Sequence, residues 1–165
     1  MKLNTYIITF LILFSSITLT FCKHSDKTNT NNKSLKPTLF DLEFLNHLNG
    51  KSPTEVKLFE NKAFKKHLKK LIDIQYNFLI EAWNLETPIE VNNNIFVSEG
   101  CQIHACDYTN FIIVVDLTKH IMYVGIKKEG NIKIYSEDGS KSQRIYEWAK
   151  NNMYLCNVLF KEEIV

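Results

Sequence analysis

The chain has 165 residues, and its 20 Lys and Arg side chains against 18 Asp and Glu give a formal net charge of +2. A balance so close to neutral provides no argument for nucleic-acid binding, so no nucleic acid is predicted as a partner. No internal repeat is visible, and the 127 residues from 39 to 165 suit one domain with one hydrophobic core.

The first 22 residues are typical of an export signal. Lys2 supplies a positive start, residues 6–14 are almost wholly apolar, and small polar residues follow. The apolar stretch is too short for a stable membrane span. We therefore expect residues 1–22 to direct export, and the protein to reside in the periplasm or, if lipidated, at the outer membrane or cell surface.

The end of this signal resembles the acylation site of a bacterial lipoprotein. Leu19 stands three residues before Cys22, as that resemblance requires, although Phe21 occupies a place where a small residue is usual. Two outcomes stay open, namely lipidation of Cys22 or simple cleavage and release. Residues 23–38 are polar apart from Leu35 and cannot bury enough surface to offset their ordering entropy. They predict a flexible tether or, without a lipid, an ordinary disordered segment.

Helical patterns come first in the mature chain. Apolar residues at helical spacing from Phe40 to Leu48 predict a short helix. Ser52 is followed by a proline and then by Glu55, which predicts a second helix start with Ser52 as N-cap and Glu55 closing a capping box. The first run is expected to end at Asn49-Gly50 and the second helical region before Pro88.

The second helical region carries one apolar stripe from Val56 to Trp83. A phase slip near Phe64 predicts one broken helix or two short ones. Five lysines point away from this stripe, namely Lys62, Lys65, Lys66, Lys69 and Lys70. We interpret this lysine face as a solvated helix surface, with a docking patch for an acidic partner as the alternative.

The second half of the chain has the pattern of β-strands. Residues 89–91 and 95–97 flank three asparagines, which predicts a hairpin. The β-branched, apolar run 111–115 predicts a central strand, with 121–126 as its neighbour. Residues 131–135 alternate between apolar and polar, as an edge strand does.

The last part of the chain completes the predicted fold. After a turn at 137–140, the spacing of Ile145, Trp148 and Ala149 predicts a short helix, and residues 153–160 predict a last strand. The predicted architecture is α+β: an antiparallel β-sheet with helices packed at one side and a protruding disulfide loop.

That loop is the most informative motif. Residues 100–106 read Gly-Cys-Gln-Ile-His-Ala-Cys. Outside the cytosol, Cys101 and Cys106 are expected to form a disulfide rather than to stay reduced. A small crosslinked loop that carries His104 is a rigid, polar probe, and such probes suit clefts. The motif therefore indicates a binding protein rather than an enzyme.

The order of these features resembles the inhibitor of vertebrate lysozyme (Ivy) family. A helical region, a Thr-Pro step at 87–88, a strand pair, the Cys-x-x-His-x-Cys loop and a strand hairpin follow one another. The resemblance implies an α+β domain over residues 39–165 whose loop enters the substrate cleft of a c-type lysozyme. The target-binding residues would be Gln102, Ile103, His104 and Ala105, with the histidine against the catalytic carboxyl groups.

The loop also departs from the family's founding motif, Cys-Lys-Pro-His-Asp-Cys. Its lysine, proline and aspartate are replaced here by Gln102, Ile103 and Ala105. The target could therefore be a c-type lysozyme or another glycan-cleaving enzyme. The alternative is an exported binding module of unknown target whose disulfide loop is purely structural.

Other chemistries are less well supported by the sequence. Cys101, His104 and Cys106 could be metal ligands, but structural zinc sites usually have four ligands at recognisable spacings, and Cys156 lies 50 positions further on. We predict no metal, no cofactor and no catalytic residue. Cys156 is left over in an apolar stretch and is expected to be a buried free thiol.

Overall fold

The computed structural model describes residues 41–157, with side chains as far as residue 153. All of the described residues belong to one compact unit. The predicted export signal, the tether and Cys22 lie outside the described residues. None of the helices within 41–157 combines the length and the hydrophobicity that a transmembrane helix requires.

Six antiparallel strands form one sheet. They are β1 (Leu85–Glu86), β2 (Glu90–Asn92), β3 (Ile95–Cys101), β4 (Asn110–Asp116), β5 (Ile121–Lys128) and β6 (Asn131–Ser136). Strands β3 to β6 pair in chain order, and both β1 and β2 pair with the outer edge of β3. Short connections between neighbouring strands favour this antiparallel order. The predicted hairpin, central strand, neighbouring strand and edge strand are all confirmed.

The β2–β3 hairpin has a two-residue turn. Asn92 pairs with Ile95, and the two residues between them, Asn93 and Asn94, have φ angles of 49° and 60°. Positive φ at both central positions is the mark of a type I′ turn, which matches the twist of the paired strands and favours asparagine. The asparagine run that predicted the hairpin therefore also determines its geometry.

Strand β4 is buried on both faces of the sheet. Phe111, Ile113 and Val115 contribute to a core beneath the N-terminal helices, here called the α1 face. Ile112 and Val114 point the other way and pack against the C-terminal helix, here called the α3 face. Alternate residues of a strand face opposite sides, so an unbroken apolar run needs a cover on each side.

This double cover corrects one detail of the predicted α+β fold. Helices α1 (Lys62–Ile72) and α2 (Gln75–Ala82) follow one another in the first half of the chain, and α1 packs on one side of the sheet. Helix α3 (Gln143–Asn157) packs on the other side, against β4, β5 and β6. The fold class is confirmed, but the helices do not all lie at one side, because a single helical layer would leave half of β4 exposed.

The predicted helix does not begin at Ser52, although the Ser52 hydroxyl accepts from the Glu55 amide at 3.5 Å as the predicted cap would. The Ser52 hydroxyl hydrogen-bonds the carboxylate of Glu86, and that carboxylate also accepts from the Thr54 amide at 3.0 Å. Turns and a short 3-10 helix occupy the chain up to residue 60, and α1 begins after Asn61. The Asn61 side chain caps α1 by accepting from the amides of the second and third helical residues, at 3.0 and 3.2 Å.

Other helical predictions are confirmed in part. A 3-10 helix at Glu43–His47 stands where a short helix was predicted. The two-helix alternative is confirmed for the region after it, but the break falls at Asp73, whose φ is 41°, and not near Phe64.

The C-terminal predictions need one further correction. Residues 153–157 continue α3, so the predicted last strand is wrong there, and 158–160 lie outside the described residues. The apolar spacing at Ile145, Trp148 and Ala149 extends as a helix of 15 residues. The side chain of Cys156 lies outside the described residues.

Candidate functional site

The loop of residues 102–109 connects β3 to β4 at one end of the sheet. Cys101 and Cys106 are bonded to each other, with Cα atoms 5.0 Å apart, as predicted. At the base of the loop the Gln102 amide donates to the Thr109 carbonyl at 3.1 Å. This bond extends the β3–β4 ladder by one step beyond the pair Cys101–Asn110. The loop is therefore closed both covalently and by the sheet itself.

The tip of the loop is a β-turn made of the four predicted target-binding residues. The Ala105 amide donates to the Gln102 carbonyl at 3.0 Å, and His104 at the third position has a φ of 62°. Positive φ at this position is the signature of a type II turn. Among residues other than glycine, histidine is one of those that tolerate it best. Gln102, Ile103 and His104 are exposed, and Ala105 is half-buried.

The turn explains one element of the founding motif. Its proline stands at the second position of the turn, where a fixed φ favours type II geometry. Here Ile103 occupies that position, 49% exposed, and its amide donates to the Asn84 side chain at 3.4 Å. The Asn84 amide in turn donates to the Cys101 carbonyl at 3.1 Å. A hydrogen-bonded asparagine therefore supports the turn where the founding motif has a proline.

Gly100 provides room for an aromatic side chain at the base of the loop. A Cβ atom added there would lie 2.3 Å from Trp83 Cε2, which is far inside a normal contact. The Trp83 ring stacks on Phe111, with ring centroids 5.8 Å apart, and meets Phe59 edge-on at 5.0 Å. The first residue of the motif thus seats the loop on the core of the α1 face.

The family to which this chain belongs follows from a match to a known family model. The family model for the inhibitor of vertebrate lysozyme (Ivy) matches residues 63–155, which is more than half of the chain. The chain belongs to the Ivy family. The matched segment contains the whole sheet and the disulfide loop, so the predicted resemblance is confirmed. No curated protein and no solved structure matches the chain.

Membership in the Ivy family supplies a class of function. The family is one of inhibitors of lysozyme, which supports a glycoside hydrolase as partner and agrees with the prediction that the chain is not itself an enzyme. Cys101 and Cys106 are joined to each other, so they are not free thiolate ligands for a metal. No group of three or more His, Cys, Asp or Glu residues in the described part of the chain could hold a metal ion.

A polar network that sequence reasoning missed joins the Ivy loop to helix α3. The Asn110 side-chain amide donates to the Cys106 carbonyl at 2.6 Å and to the Asn152 side chain at 2.8 Å. Lys127 is fully buried, and its ammonium group donates to the Asn152 carbonyl at 3.0 Å. The one signal in the sequence was Lys127, which directly follows the apolar run of β5. A lysine that is buried at such a place needs a hydrogen-bond partner for its ammonium group.

A cavity of about 300 Å³ lies beside the disulfide on the α3 face. Its lining includes Leu85, Glu99, Cys101, Cys106, Trp148 and Asn152. Burial raises the pKa of Glu99. This effect outweighs the opposite effect of Arg144, whose guanidinium donates a hydrogen bond to the Glu99 carboxylate at 2.6 Å. Leu85 and, within the loop, Tyr108 are 45% and 65% exposed. The neighbourhood of the loop therefore combines an ion pair with exposed apolar surface.

Proposed function

We propose that the protein is an exported bacterial inhibitor of a c-type lysozyme or a related glycan-cleaving enzyme. In this proposal the Cys101–Cys106 loop enters the active-site cleft and His104 contacts the catalytic groups. The observation that carries the proposal is an exposed imidazole at the tip of a loop that a disulfide and backbone hydrogen bonds close, in a chain of the Ivy family.

The chemistry of the target suits an imidazole. Lysozyme needs one protonated and one ionised carboxyl group on either side of the scissile bond. A neutral imidazole has one donor and one acceptor nitrogen, so His104 could accept from the acid and donate to the carboxylate. A side chain in that position excludes the sugar and satisfies both carboxyl groups at once.

A closed loop also lowers the cost of binding. Ordering a flexible segment at an interface consumes part of the interaction energy, and a segment already held in its bound shape avoids that cost. The disulfide, the bond between Gln102 and Thr109, and the Asn84 contact with Ile103 each restrict the tip before any partner arrives.

The first experiment titrates protein without residues 1–22 against several lysozyme types acting on peptidoglycan. We expect dose-dependent loss of lysis with at least one type. His104→Ala should weaken inhibition about 5- to 150-fold, the range for unpaired groups in a buried interface. His104→Asn keeps a residue that tolerates positive φ, so it separates loss of the imidazole from a change in the turn. His47→Ala, at an exposed histidine in the N-terminal 3-10 helix, is the matched control.

Each outcome of this titration has a clear meaning. If His104→Ala and His104→Asn both inhibit as well as wild type, the shared histidine has no role in binding and the loop mechanism is wrong. If wild type inhibits no lysozyme, the alternative of a binding module with a purely structural disulfide loop is favoured. Hydrolysis of peptidoglycan by the protein itself would instead favour an enzyme.

A second experiment tests the departures from the founding motif. Gln102→Lys with Ala105→Asp restores its two charges and should strengthen inhibition of a c-type lysozyme if that is the target. The control exchanges the charges, as Gln102→Asp with Ala105→Lys, and should not. Because the natural loop lacks both charges, we expect its inhibition to depend only weakly on ionic strength.

The proposal includes export and a tether. Residues 1–22 would be the signal, residues 23–38 a flexible tether, and Cys22 the acylated residue of a lipoprotein. Mass spectrometry of the mature N-terminus tests this directly, and Cys22→Ala should release the protein in soluble form or stall its processing. A mature N-terminus other than Cys22 would remove the lipid anchor and leave export intact.

A further inference from the structure

The charge of this chain is concentrated in helix α1. This helix holds five of the 20 basic residues and none of the 18 acidic ones, so the other 154 residues sum to −3. The proposed contact between the loop and a lysozyme cleft makes no use of this helix. A local charge of +5 on a chain that is otherwise acidic needs its own explanation.

The five lysines form a single exposed face. At 100° per residue they span an arc of about 140° and a length of about 12 Å along the helix. Phe64 and Leu68 are fully buried on the side away from the lysines, against the sheet. Within the described residues, Lys62, Lys65, Lys66 and Lys70 form no ion pair, and Lys69 lies over the Tyr76 ring at 4.9 Å. The lysine face is therefore available to an external anion.

A large apolar side chain stands at the end of this helix. Ile74 follows the break at Asp73 and is 82% exposed, more than any other large apolar side chain in the described part of the chain. Cationic side chains beside an exposed apolar residue are the combination by which proteins bind at the surface of an anionic membrane. Among the acidic neighbours, Asp73 follows the helix and Asp41 and Glu137 hydrogen-bond His67 of α1, and these three carboxylates do not cancel five lysines.

We propose that the lysine face, with Ile74 at its end, docks the domain on an anionic phospholipid bilayer. All five cations are lysines, which act as point charges and suit mobile lipid phosphates. The face is the convex side of a helix, which suits an extended surface better than a small bound ligand.

The path of the chain supports the same partner. Asp41, where the described residues begin, hydrogen-bonds His67 of α1 at 2.8 Å. The 18 residues from 23 to 40 therefore join the domain beside the lysine face, and they can reach at most about 60 Å. If Cys22 is acylated, this short tether keeps the lysine face close to the bilayer at high effective concentration. The lysine face itself does not depend on that anchor.

The test uses protein without residues 1–22. Every residue of both cores lies between 42 and 149, so this form keeps the whole fold, which a thermal melt checks. It is sedimented with phosphatidylcholine vesicles, with or without about one third phosphatidylglycerol. We expect binding to the anionic vesicles only, and loss of that binding as salt is raised.

Matched variants test whether vesicle binding depends on the lysine face in particular. Lys66→Gln with Lys70→Gln should weaken vesicle binding about tenfold or more, because each lysine near an anionic surface contributes about fivefold. Lys133→Gln with Lys141→Gln removes the same charge from exposed positions elsewhere and should change binding less than about threefold. Ile74→Ser should weaken binding severalfold without any change in net charge.

Three results would overturn the proposal. The first is absence of binding to anionic vesicles, and the second is an equal loss for the two lysine pairs. The third is binding to soluble polyglutamate but not to vesicles, which would assign the lysine face to an acidic protein. Lysis inhibition is measured in parallel. The Lys66 and Lys70 variant should inhibit normally and His104→Ala should bind vesicles normally, so failure of one proposal does not imply failure of the other.

Discussion

The two faces of the sheet are built by different means. The α1 face has a cluster of 18 buried apolar or aromatic residues, whose ring contacts link Phe59, Phe64 and Phe96, and the small side chain of Ser98 is buried on the same face. The α3 face has seven buried apolar or aromatic residues, Trp148 among them, and adds polar bonds such as that from the buried Lys127 to Asn152.

This difference separates stability from positioning. The larger apolar core removes more surface from water and therefore supplies most of the free energy of folding. The polar bonds of the α3 face are directional, and they connect α3 to the strand end from which the loop projects. The loop therefore depends on the α1 face for a stable sheet and on the α3 face for its orientation.

The largest effect should come from the α1 face. Phe64 is fully buried and touches both Phe59 and Phe96, so Phe64→Ala should lower the free energy of unfolding by about 3 to 5 kcal/mol. Urea denaturation measures it. Tyr146→Ala, at a side chain of α3 that is 63% exposed, is the control and should cost less than about 0.5 kcal/mol. A loss below about 1.5 kcal/mol for Phe64→Ala would mean that this face is not the main source of stability.

The next effect tests packing on the α3 face. A Cβ atom on Gly125 would lie 2.5 Å from the Trp148 ring and 2.8 Å from Ile112, so Gly125→Ala should cost about 1 to 3 kcal/mol. If the clash with the ring is the cause, Gly125→Ala combined with Trp148→Leu should cost less than the sum of the two single changes. Strict additivity in denaturation experiments would show that helix α3 is not packed tightly on this strand.

Replacement of Asn110 should reduce stability less than the two changes above, but it should also reduce inhibition by the loop. Asn110→Ala removes the donor to the Cys106 carbonyl and to Asn152, and should cost about 1 to 2 kcal/mol. At a temperature where the variant is fully folded, its inhibition should still be weaker than that of wild type, because the loop has lost its connection to α3. Asn77→Ala, at an exposed position of α2, is the control for both measurements. Normal inhibition by Asn110→Ala would show that the polar network does not position the loop.

The smallest effect is a pH dependence at the rim of the α1 face. His67 Nδ1 lies 2.7 Å from Glu137 and its Nε2 lies 2.8 Å from Asp41. Burial lowers the pKa of His67, but the hydrogen bonds and charges of the two carboxylates outweigh it and raise the pKa above 6.5. The stabilisation should therefore be complete below pH 6.5 and lost as pH rises through the raised folded-state value.

The measurement compares wild type with His67→Gln. The difference in unfolding free energy between the two proteins should shrink between pH 6 and pH 8.5, since only the imidazolium donates to both carboxylates. A difference that stays constant over this range would mean that His67 has the same protonation state in the folded and unfolded chains.

The strands, the hairpin, the disulfide loop and the family could all be predicted from the sequence. Each of these rests on a local signal, such as the β-branched run of β4, the asparagine turn or the Cys-x-x-His-x-Cys spacing. Local patterns determine strands well because side-chain direction along a strand has a period of two residues and the turns are set by neighbouring residues.

The start of α1, the face that α3 covers and the way the loop is held depend on contacts between distant parts of the chain. Ser52 accepts the Glu55 amide at 3.5 Å as a helix cap does and donates to Glu86, 34 positions away, but the turn that it starts stops at Lys57, whose φ is 51°, and Asn61 caps α1. Lys127 carries the charge of a surface residue, and a carbonyl of α3 allows it to be buried. In each case the deciding partner is distant along the chain, and a periodic pattern contains no information about partners that only folding brings together.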